Sequence, residues 1–157
     1  MTEDLKILLQ KELLLLEDAA QVLRYSFDKC TNIGLKSEYS PDELESFESL
    51  CSRFARLSDI MTQKIFRLLS EIALELPGSV RDRINRAEKW ELIESAETFV
   101  DIRMVRNDIA HEYLPEAIRD IFKKVMMLSP ALLQSVIALT CDRAVLLKSK
   151  NGENCGA

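Results

Sequence analysis

The fold of this chain is decided by residues 40–76, which read SPDELESFESLCSRFARLSDIMTQKIFRLLSEIALEL. Ser40 suits a helix N-cap, Pro41 suits the first helical position, and the two acidic residues that follow face the positive end of a helix dipole. Apolar residues then recur every three or four positions, which is typical of one helix face: Leu44, Phe47, Leu50, Phe54, Leu57, Met61, Ile65, Leu68, Ile72 and Leu76. The pattern predicts one helix of about 50 Å, long enough to span a small domain, that ends at Pro77-Gly78.

The same periodicity continues on both sides of this segment. Further helices are predicted at 2–30, 80–90, 95–113 and 114–146, with polar residues 31–40 as a connector. The first has a second apolar face, which predicts burial on more than one side, and Pro130 is expected to kink or interrupt the last, because proline lacks a backbone N–H. No strand-like alternation occurs. The prediction is an all-α, up-and-down bundle of four to five main helices.

Length and composition fit this prediction. The chain has 157 residues, of which 47% are hydrophobic and 30% charged, with four glycines and four prolines, as in a compact helical protein. We expect a single domain at 1–148 and a flexible C-terminal tail at 149–157. A net charge of -5 argues against non-specific coating of nucleic acid, so any RNA contact must be local. The basic segment 81–89 is predicted to supply supporting phosphate contacts or a solvated face.

The cysteines and the N-terminus bear on metal binding and localisation. Four cysteines form no C-x-x-C pair, and a single histidine does not complete an ordinary zinc site with them, so no metal is expected. The N-terminus MTEDLKILL carries acids where a secretory signal has basic residues, and no apolar run approaches the roughly 18 residues of a membrane span. We predict a cytoplasmic protein with no membrane contact and reduced cysteines.

Three groups with distinct chemistry lie close together in residues 106–113, RNDIAHEY. Arg106 is a permanent cation suited to phosphate. His111, the only histidine, belongs to the residue type whose ordinary pKa lies nearest neutrality. The hydroxyl of Tyr113 can accept a transferred group. Arg106 falls within the apolar arc of its predicted helix, which is costly unless the guanidinium is paired or borders a cleft.

Helix geometry indicates how these groups can cooperate. Arg106 and His111 are five residues apart and point about 140° away from each other on a regular helix. One copy of the helix therefore does not aim both at one phosphate, whereas two copies related by a two-fold axis can pool them. We predict a symmetric homodimer whose interface uses the face that carries Val100, Met104, Asn107 and His111.

The order Arg106, Asn107, His111, Tyr113 near the end of the penultimate long helix resembles the R-x4-H-x-Y signature of HEPN proteins. More narrowly, it resembles HepT-type toxins that are paired with a small MNT nucleotidyltransferase antitoxin. The resemblance implies a metal-independent endoribonuclease that acts as a homodimer on RNA, with Arg106 and His111 at the dimer cleft. Asn107, about 40° from His111 on the helix, is suited to orient the imidazole or the phosphate.

The resemblance also implies how the toxin is neutralised. The cognate antitoxin transfers AMP from ATP onto the motif tyrosine, here Tyr113. ATP is then used by the partner, and this chain itself needs no cofactor. AMP attached at Tyr113 adds bulk and negative charge where an RNA phosphate must enter.

Each motif residue also has a structural interpretation. His111 can be a favourable cation at a helix C-terminus, and Tyr113 a core aromatic residue with its hydroxyl at the surface. Arg106 can form a buried ion pair with an acid such as Glu71 or Asp101. Two other functions stay open: a non-catalytic HEPN subunit that helps a nucleotidyltransferase to bind its substrate, and a structural or regulatory bundle without ligand chemistry.

Overall fold

Helices form the whole architecture of residues 2–141, which are the residues described by a computed structural model of the chain. Six α-helices and one π-helical segment follow in order: α1 (Thr2–Ile33), α2 (Pro41–Asp59), the π segment (Ile60–Ile65), α3 (Phe66–Ile72), α4 (Val80–Lys89), α5 (Ala96–His111) and α6 (Pro115–Cys141). No β-strand occurs in this part of the chain, which confirms the all-α prediction. The stretch 41–72 is one continuous rod, so five main helices pack around a shared core, as expected for a helical bundle.

The start of the central rod is as predicted. Ser40 Oγ accepts a hydrogen bond from the Glu43 backbone N–H at 3.2 Å, and the Glu43 carboxylate accepts one from the Ser40 N–H at 3.0 Å. This reciprocal capping box satisfies two N–H groups that a helix start would otherwise leave unpaired. The interior apolar positions from Phe47 to Ile72 are buried, so this face of the rod supplies the bundle core.

The rod ends four residues earlier than the predicted end at Leu76. The backbone of Leu74 turns left-handed, with φ 58°, and its N–H donates to Glu71 O while the Glu75 N–H donates to Ser70 O. These two bonds form a Schellman stop, a geometry that usually takes glycine. Leu76 is 81% exposed, so its predicted place in the core stripe is wrong.

α1 contributes one face to the core rather than two. Leu9, Leu13, Leu16 and Leu23 are fully buried, largely against α2. On the second apolar face Ala19 is buried, but Leu8, Leu15 and Val22 are 39–54% exposed, so the predicted burial is wrong for these three within one chain. The helix also continues to Ile33, beyond the predicted start of the connector.

α6 runs without interruption from Pro115 to Cys141, so of the two predicted outcomes at Pro130, a kink or a restart, the restart is wrong. Proline removes one N–H from the ladder, and buried residues before and after it, including Val125 and Leu133, pack into the core. α6 also has the length and composition of a membrane span, with mean hydropathy 1.5, contrary to expectation; core helices of water-soluble proteins pass the same test. Leu146 and the predicted tail 149–157 lie outside the described residues.

A buried arginine braces the π segment. Arg83 in α4 is 8% exposed; its Nε donates to Thr62 O at 3.2 Å, its Nη1 to Gly78 O at 3.0 Å and its Nη2 to Gln63 Oε1 at 3.1 Å. A π turn closes on the fifth residue instead of the fourth, which leaves carbonyls available to outside donors. Burial, followed by the nearby arginines, lowers the pKa of Arg83.

The basic segment 81–89 is therefore only partly a free cationic surface. Arg83 is used inside the fold, and Arg86 Nη1 donates to the buried Ser70 Oγ at 3.1 Å. Arg81 and Lys89 remain exposed. Half of the predicted phosphate-binding cluster thus serves to hold α4 against the rod.

Candidate functional site

α5 presents the motif residues and is fixed at both ends. Ser95 Oγ accepts a hydrogen bond from the Thr98 N–H at 3.2 Å and caps the helix start. Phe99, Ile102 and Val105 of the predicted apolar arc are buried. Ile109 is half-buried, and Tyr113, which helical spacing also placed in this arc, is exposed, so the predicted core-facing stripe is confirmed only in part. The helix ends at His111, two residues before the predicted end, so helical angles apply to the motif only up to that residue.

Arg106 is held by an acid from the central rod. Its Nε donates to Asp59 Oδ1 at 2.9 Å and its Nη2 to Asp59 Oδ2 at 3.0 Å, a bidentate pair. Arg103 Nη1 donates to the same Oδ1 at 2.6 Å. The sequence correctly indicated that Arg106 requires a partner, but the predicted partners, Glu71 and Asp101, are wrong. The pair leaves Nη1 of Arg106 without a partner among residues 2–141.

The pKa values of this cluster follow from its contacts. Burial alone would raise the pKa of Asp59, but the hydrogen bonds from Arg106 and Arg103 outweigh it and hold that pKa below its ordinary value. The Asp59 carboxylate in turn raises the pKa of Arg106. Asp59 is therefore an anion at neutral pH, and it fixes the Nε side of the Arg106 guanidinium.

The depressed pKa of Asp59 predicts a pH-dependent stability. A carboxyl with a lowered folded-state pKa contributes stability above its unfolded pKa of about 3.9 and loses it as the pH falls through the folded value. We expect Asp59→Asn to have a lower free energy of unfolding than the wild type at neutral pH. The difference between the two free energies should narrow below about pH 4. Urea unfolding at neutral pH and at about pH 3 measures this difference.

Asp101→Asn is the matched control, because Asp101 is exposed on α5 and has no partner in the described part of the chain. It should show a far smaller change at either pH. If the difference in free energy of unfolding between Asp59→Asn and the wild type stays constant from neutral to acidic pH, the Asp59 anion is not stabilising.

Arg106 borders an open depression of about 540 Å³ beside the rod. Apolar atoms make up most of its surface, but six of its eight lining residues are polar or charged: Ser52, Ala55, Arg56, Asp59, Ile60, Gln63, Lys64 and Arg106. A second depression, of about 340 Å³, shares Ser52 and Ala55 and extends towards Ile109 and Glu112 at the end of α5. The surface between α2 and the C-terminal half of α5 is thus concave on both sides of Ser52.

Asn107 and His111 lie on another side of α5. Both are exposed, and their side chains make no hydrogen bond to any residue in the range 2–141. Met104 is 60% exposed beside them, and Val100 is half-buried. Neither of the two depressions includes His111, and the helical spacing directs it about 140° away from Arg106. A single chain does not bring the two groups together.

Tyr113 lies in the short connector between α5 and α6. The Glu112 carboxylate accepts hydrogen bonds from the backbone N–H groups of Tyr113 and Leu114, each at 3.1 Å, which fixes the local backbone. The Tyr113 side chain is 82% exposed, so its interpretation as a core aromatic is wrong. The helical angle used to place it does not apply, because α5 has already ended.

The acidic, histidine and cysteine side chains also bear on metal binding and thiol reactivity. In residues 2–141, no group of three or more histidine, cysteine, aspartate or glutamate side chains is arranged to hold a metal ion. Burial raises the pKa of Cys30 to about 11 and that of Cys51 to about 12, so both thiols stay protonated at neutral pH.

Comparison of the chain with known protein families, curated proteins and solved structures finds no match. The function of the chain is therefore inferred from the motif and from the environment of its side chains. Those environments differ: Arg106 is anchored beside a depression, whereas Asn107, His111 and Tyr113 are exposed and free to bind.

Proposed function

We propose that this chain is the toxin of a HEPN/MNT toxin–antitoxin pair and acts as a metal-independent endoribonuclease. One observation carries the proposal. Within eight residues, an anchored guanidinium is followed by three exposed polar side chains, Asn107, His111 and Tyr113, that form no hydrogen bonds within the described residues. Polar side chains that support the fold from buried positions are mostly hydrogen-bonded. These three are exposed and make no such bond, so they are accessible to a ligand.

The residue types match the needs of RNA cleavage without a metal. The 2′-oxygen attacks the adjacent phosphorus, the new P–O2′ bond forms, and the P–O5′ bond breaks. One imidazole takes the 2′-hydroxyl proton and another delivers a proton to the leaving O5′. The free Nη1 edge of Arg106 is suited to the charge that builds on the phosphorane oxygens, and Asn107 to orienting the imidazole or the phosphate.

This chemistry requires a homodimer. Arg106 and His111 diverge on one α5, but a two-fold axis along the face with Val100, Met104, Asn107 and His111 supplies two copies of each to one cleft. The exposed Met104 and half-buried Val100 provide apolar surface for such a contact. The exposure of this face in one chain supports the proposed interface.

We further propose that a cognate nucleotidyltransferase silences the toxin through Tyr113. The phenolic oxygen attacks the α-phosphorus of ATP, a new P–O bond forms, pyrophosphate leaves, and the phenol proton passes to a base. The hydroxyl is accessible because the ring is 82% exposed. The added phosphate would repel the RNA backbone and the nucleoside would obstruct its entry.

Cleavage in the presence of EDTA tests the proposal. Purified protein incubated with single-stranded RNA should produce fragments with 2′,3′-cyclic phosphate and 5′-hydroxyl ends, because the 2′-oxygen is the nucleophile. End-group analysis by mass spectrometry identifies these products. Strict dependence on added magnesium, or 3′-hydroxyl ends, would overturn the mechanism.

A second candidate is the non-catalytic partner subunit of a nucleotidyltransferase. The observation that favours it is the bidentate pair between Arg106 and Asp59, which also gives the arginine a structural role. Such a subunit would dimerise and bind the nucleotidyltransferase, but its expression alone would be harmless to the cell and its purified form would leave RNA intact.

A further inference from the structure

The central rod carries a concentration of positive charge that the motif does not include. Between residues 53 and 67 there are four cations and a single acid, Asp59, in a chain whose net charge is -5. That acid is already neutralised by Arg103 and Arg106. Residues 53–67 therefore form a basic strip, and two of its cations, Arg56 and Lys64, line the Arg106 depression.

The four cations of this strip divide by their partners. Arg53 Nη1 donates to Val22 O at 3.1 Å and to Ser26 Oγ at 2.7 Å. Arg67 forms an ion pair with Glu71, in which Nε lies 3.9 Å from Oε1. Arg56 and Lys64 are exposed and have no hydrogen bond or ion pair to any residue of the described range. Both line the depression that Arg106 borders.

The π segment brings these two free cations onto one side of the rod. Positions eight apart on a regular α-helix differ by about 80°, which would separate Arg56 from Lys64. A π turn accommodates about one extra residue. Arg56 and Lys64 are therefore related as residues seven apart on a regular α-helix, which differ in direction by only about 20°. The brace from Arg83 to Thr62 O and to Gln63 holds this turn in place.

Gln63 adds a polar group of defined orientation to the same depression. Its Oε1 accepts from Arg83 Nη2, which leaves the amide nitrogen as a donor. The depression therefore combines two unpaired cations, an amide donor and the free Nη1 edge of Arg106. Each of these groups favours the oxygens of a phosphate.

We infer that this depression binds backbone phosphates of the RNA strand next to the phosphate held by Arg106, through Arg56 and Lys64. The inference rests on the proposed function and names the path of its substrate. A single strand is the fitting ligand because the depression is open and borders Arg106, which the proposed function assigns to the dimer cleft. Two phosphate contacts on a protein of negative net charge provide local affinity without general binding of nucleic acid.

The test measures RNA binding in a His111→Ala background, where the strand is not cut. Fluorescence anisotropy with a labelled single-stranded RNA, repeated across a salt series, gives the dissociation constant and its salt dependence. Removing both cations with Arg56→Gln and Lys64→Gln should reduce the slope of log K against log salt by about 1.4, which corresponds to roughly 25-fold weaker binding at about 0.1 M salt. The matched control, Arg81→Gln with Lys89→Gln, removes the same charge from exposed positions on α4 and should retain the slope.

The outcomes separate this inference from the proposed nuclease. If the wild type does not cut RNA but the Arg56 and Lys64 changes still reduce binding and slope, the phosphate site stands without the catalytic function. If the wild type cuts RNA and the two double variants bind equally well, the inference is wrong and the nuclease stands. Normal RNA binding with lost binding of the nucleotidyltransferase would assign the depression to a protein partner and also overturn the inference.

Discussion

His111→Ala should abolish RNA cleavage while the fold is preserved. General acid–base catalysis by a positioned histidine contributes about 10²–10⁴-fold to a rate, and the dimer cleft would lose both copies at once. Within a single chain His111 is exposed and makes no hydrogen bond in residues 2–141, so the change opens no cavity in the fold of the chain and leaves no buried group there unpaired. The free energy of unfolding should change by less than about 0.5 kcal/mol.

Initial rates of RNA cleavage and urea unfolding measure the two effects on the same preparations. Asp101→Ala is the control, since Asp101 is an exposed polar residue of the same helix about 15 Å from His111 along its axis. It should cleave RNA at the wild-type rate. Equal rates for His111→Ala and the wild type would remove the catalytic assignment, and a change in cellular toxicity should follow the change in cleavage.

The features that the sequence predicted well depend on neighbouring residues. Helix starts were predicted after Ser40, at residue 80 and at residue 95. The side chains of Ser40, Ser79 and Ser95 each accept a backbone hydrogen bond from the third residue after them. Apolar spacing identified most of the core on α1, the central rod and α5 because the helical period alone determines a shared face. Such local rules are also sufficient to predict that the fold is all-α.

The errors in the fold arise where distant contacts determine the backbone. The π segment shows no proline, glycine or break in the apolar spacing, and it is held by Arg83, 21 residues further along the chain from Thr62. The helix end at Leu74 uses a non-glycine residue in a left-handed conformation, for which residue type provides no signal. Pro130 lies within a helix that core packing keeps continuous.

The candidate site divides in the same way. An arginine within an apolar arc correctly predicted a partner for Arg106, because an unpaired buried charge is costly. The identity of that partner depends on how two helices pack, and Asp59 is 47 residues away. One available signal for this partner was missed: residues 53–67 contain four cations and a single acid, Asp59. The free cations Arg56 and Lys64 were missed because the π segment changes their relative angle.

Tyr113→Phe should make the chain insensitive to the proposed nucleotidyltransferase antitoxin. The change removes only the phenolic oxygen that would accept AMP and retains the ring, and an 82% exposed side chain contributes little to stability. Wild-type protein incubated with the nucleotidyltransferase and ATP should gain the mass of AMP and lose RNA cleavage. The Phe variant should gain no mass and cleave RNA equally with and without the antitoxin.

The other two tyrosines make this prediction selective. Tyr39 packs against Phe47 and Phe122 with ring centroids 4.9 Å and 5.7 Å away, and its hydroxyl accepts a hydrogen bond from the Lys36 N–H at 3.0 Å. It is therefore poorly available to a second enzyme. Tyr25 is 66% exposed on α1 and provides the matched control, because Tyr25→Phe removes the hydroxyl of another exposed tyrosine from a helix outside the motif.

Intact-protein and peptide mass spectrometry distinguish the outcomes. Tyr25→Phe should be modified and silenced as the wild type is, since the nucleotidyltransferase would act on the connector whose backbone Glu112 holds. AMP found on Tyr113→Phe at wild-type level would move the acceptor to another residue. If AMP is found only on Tyr113 but RNA cleavage is unchanged, the modification site is correct and the proposed neutralisation is wrong. AMP at Tyr113 would then neither repel the RNA strand nor obstruct its entry to the cleft.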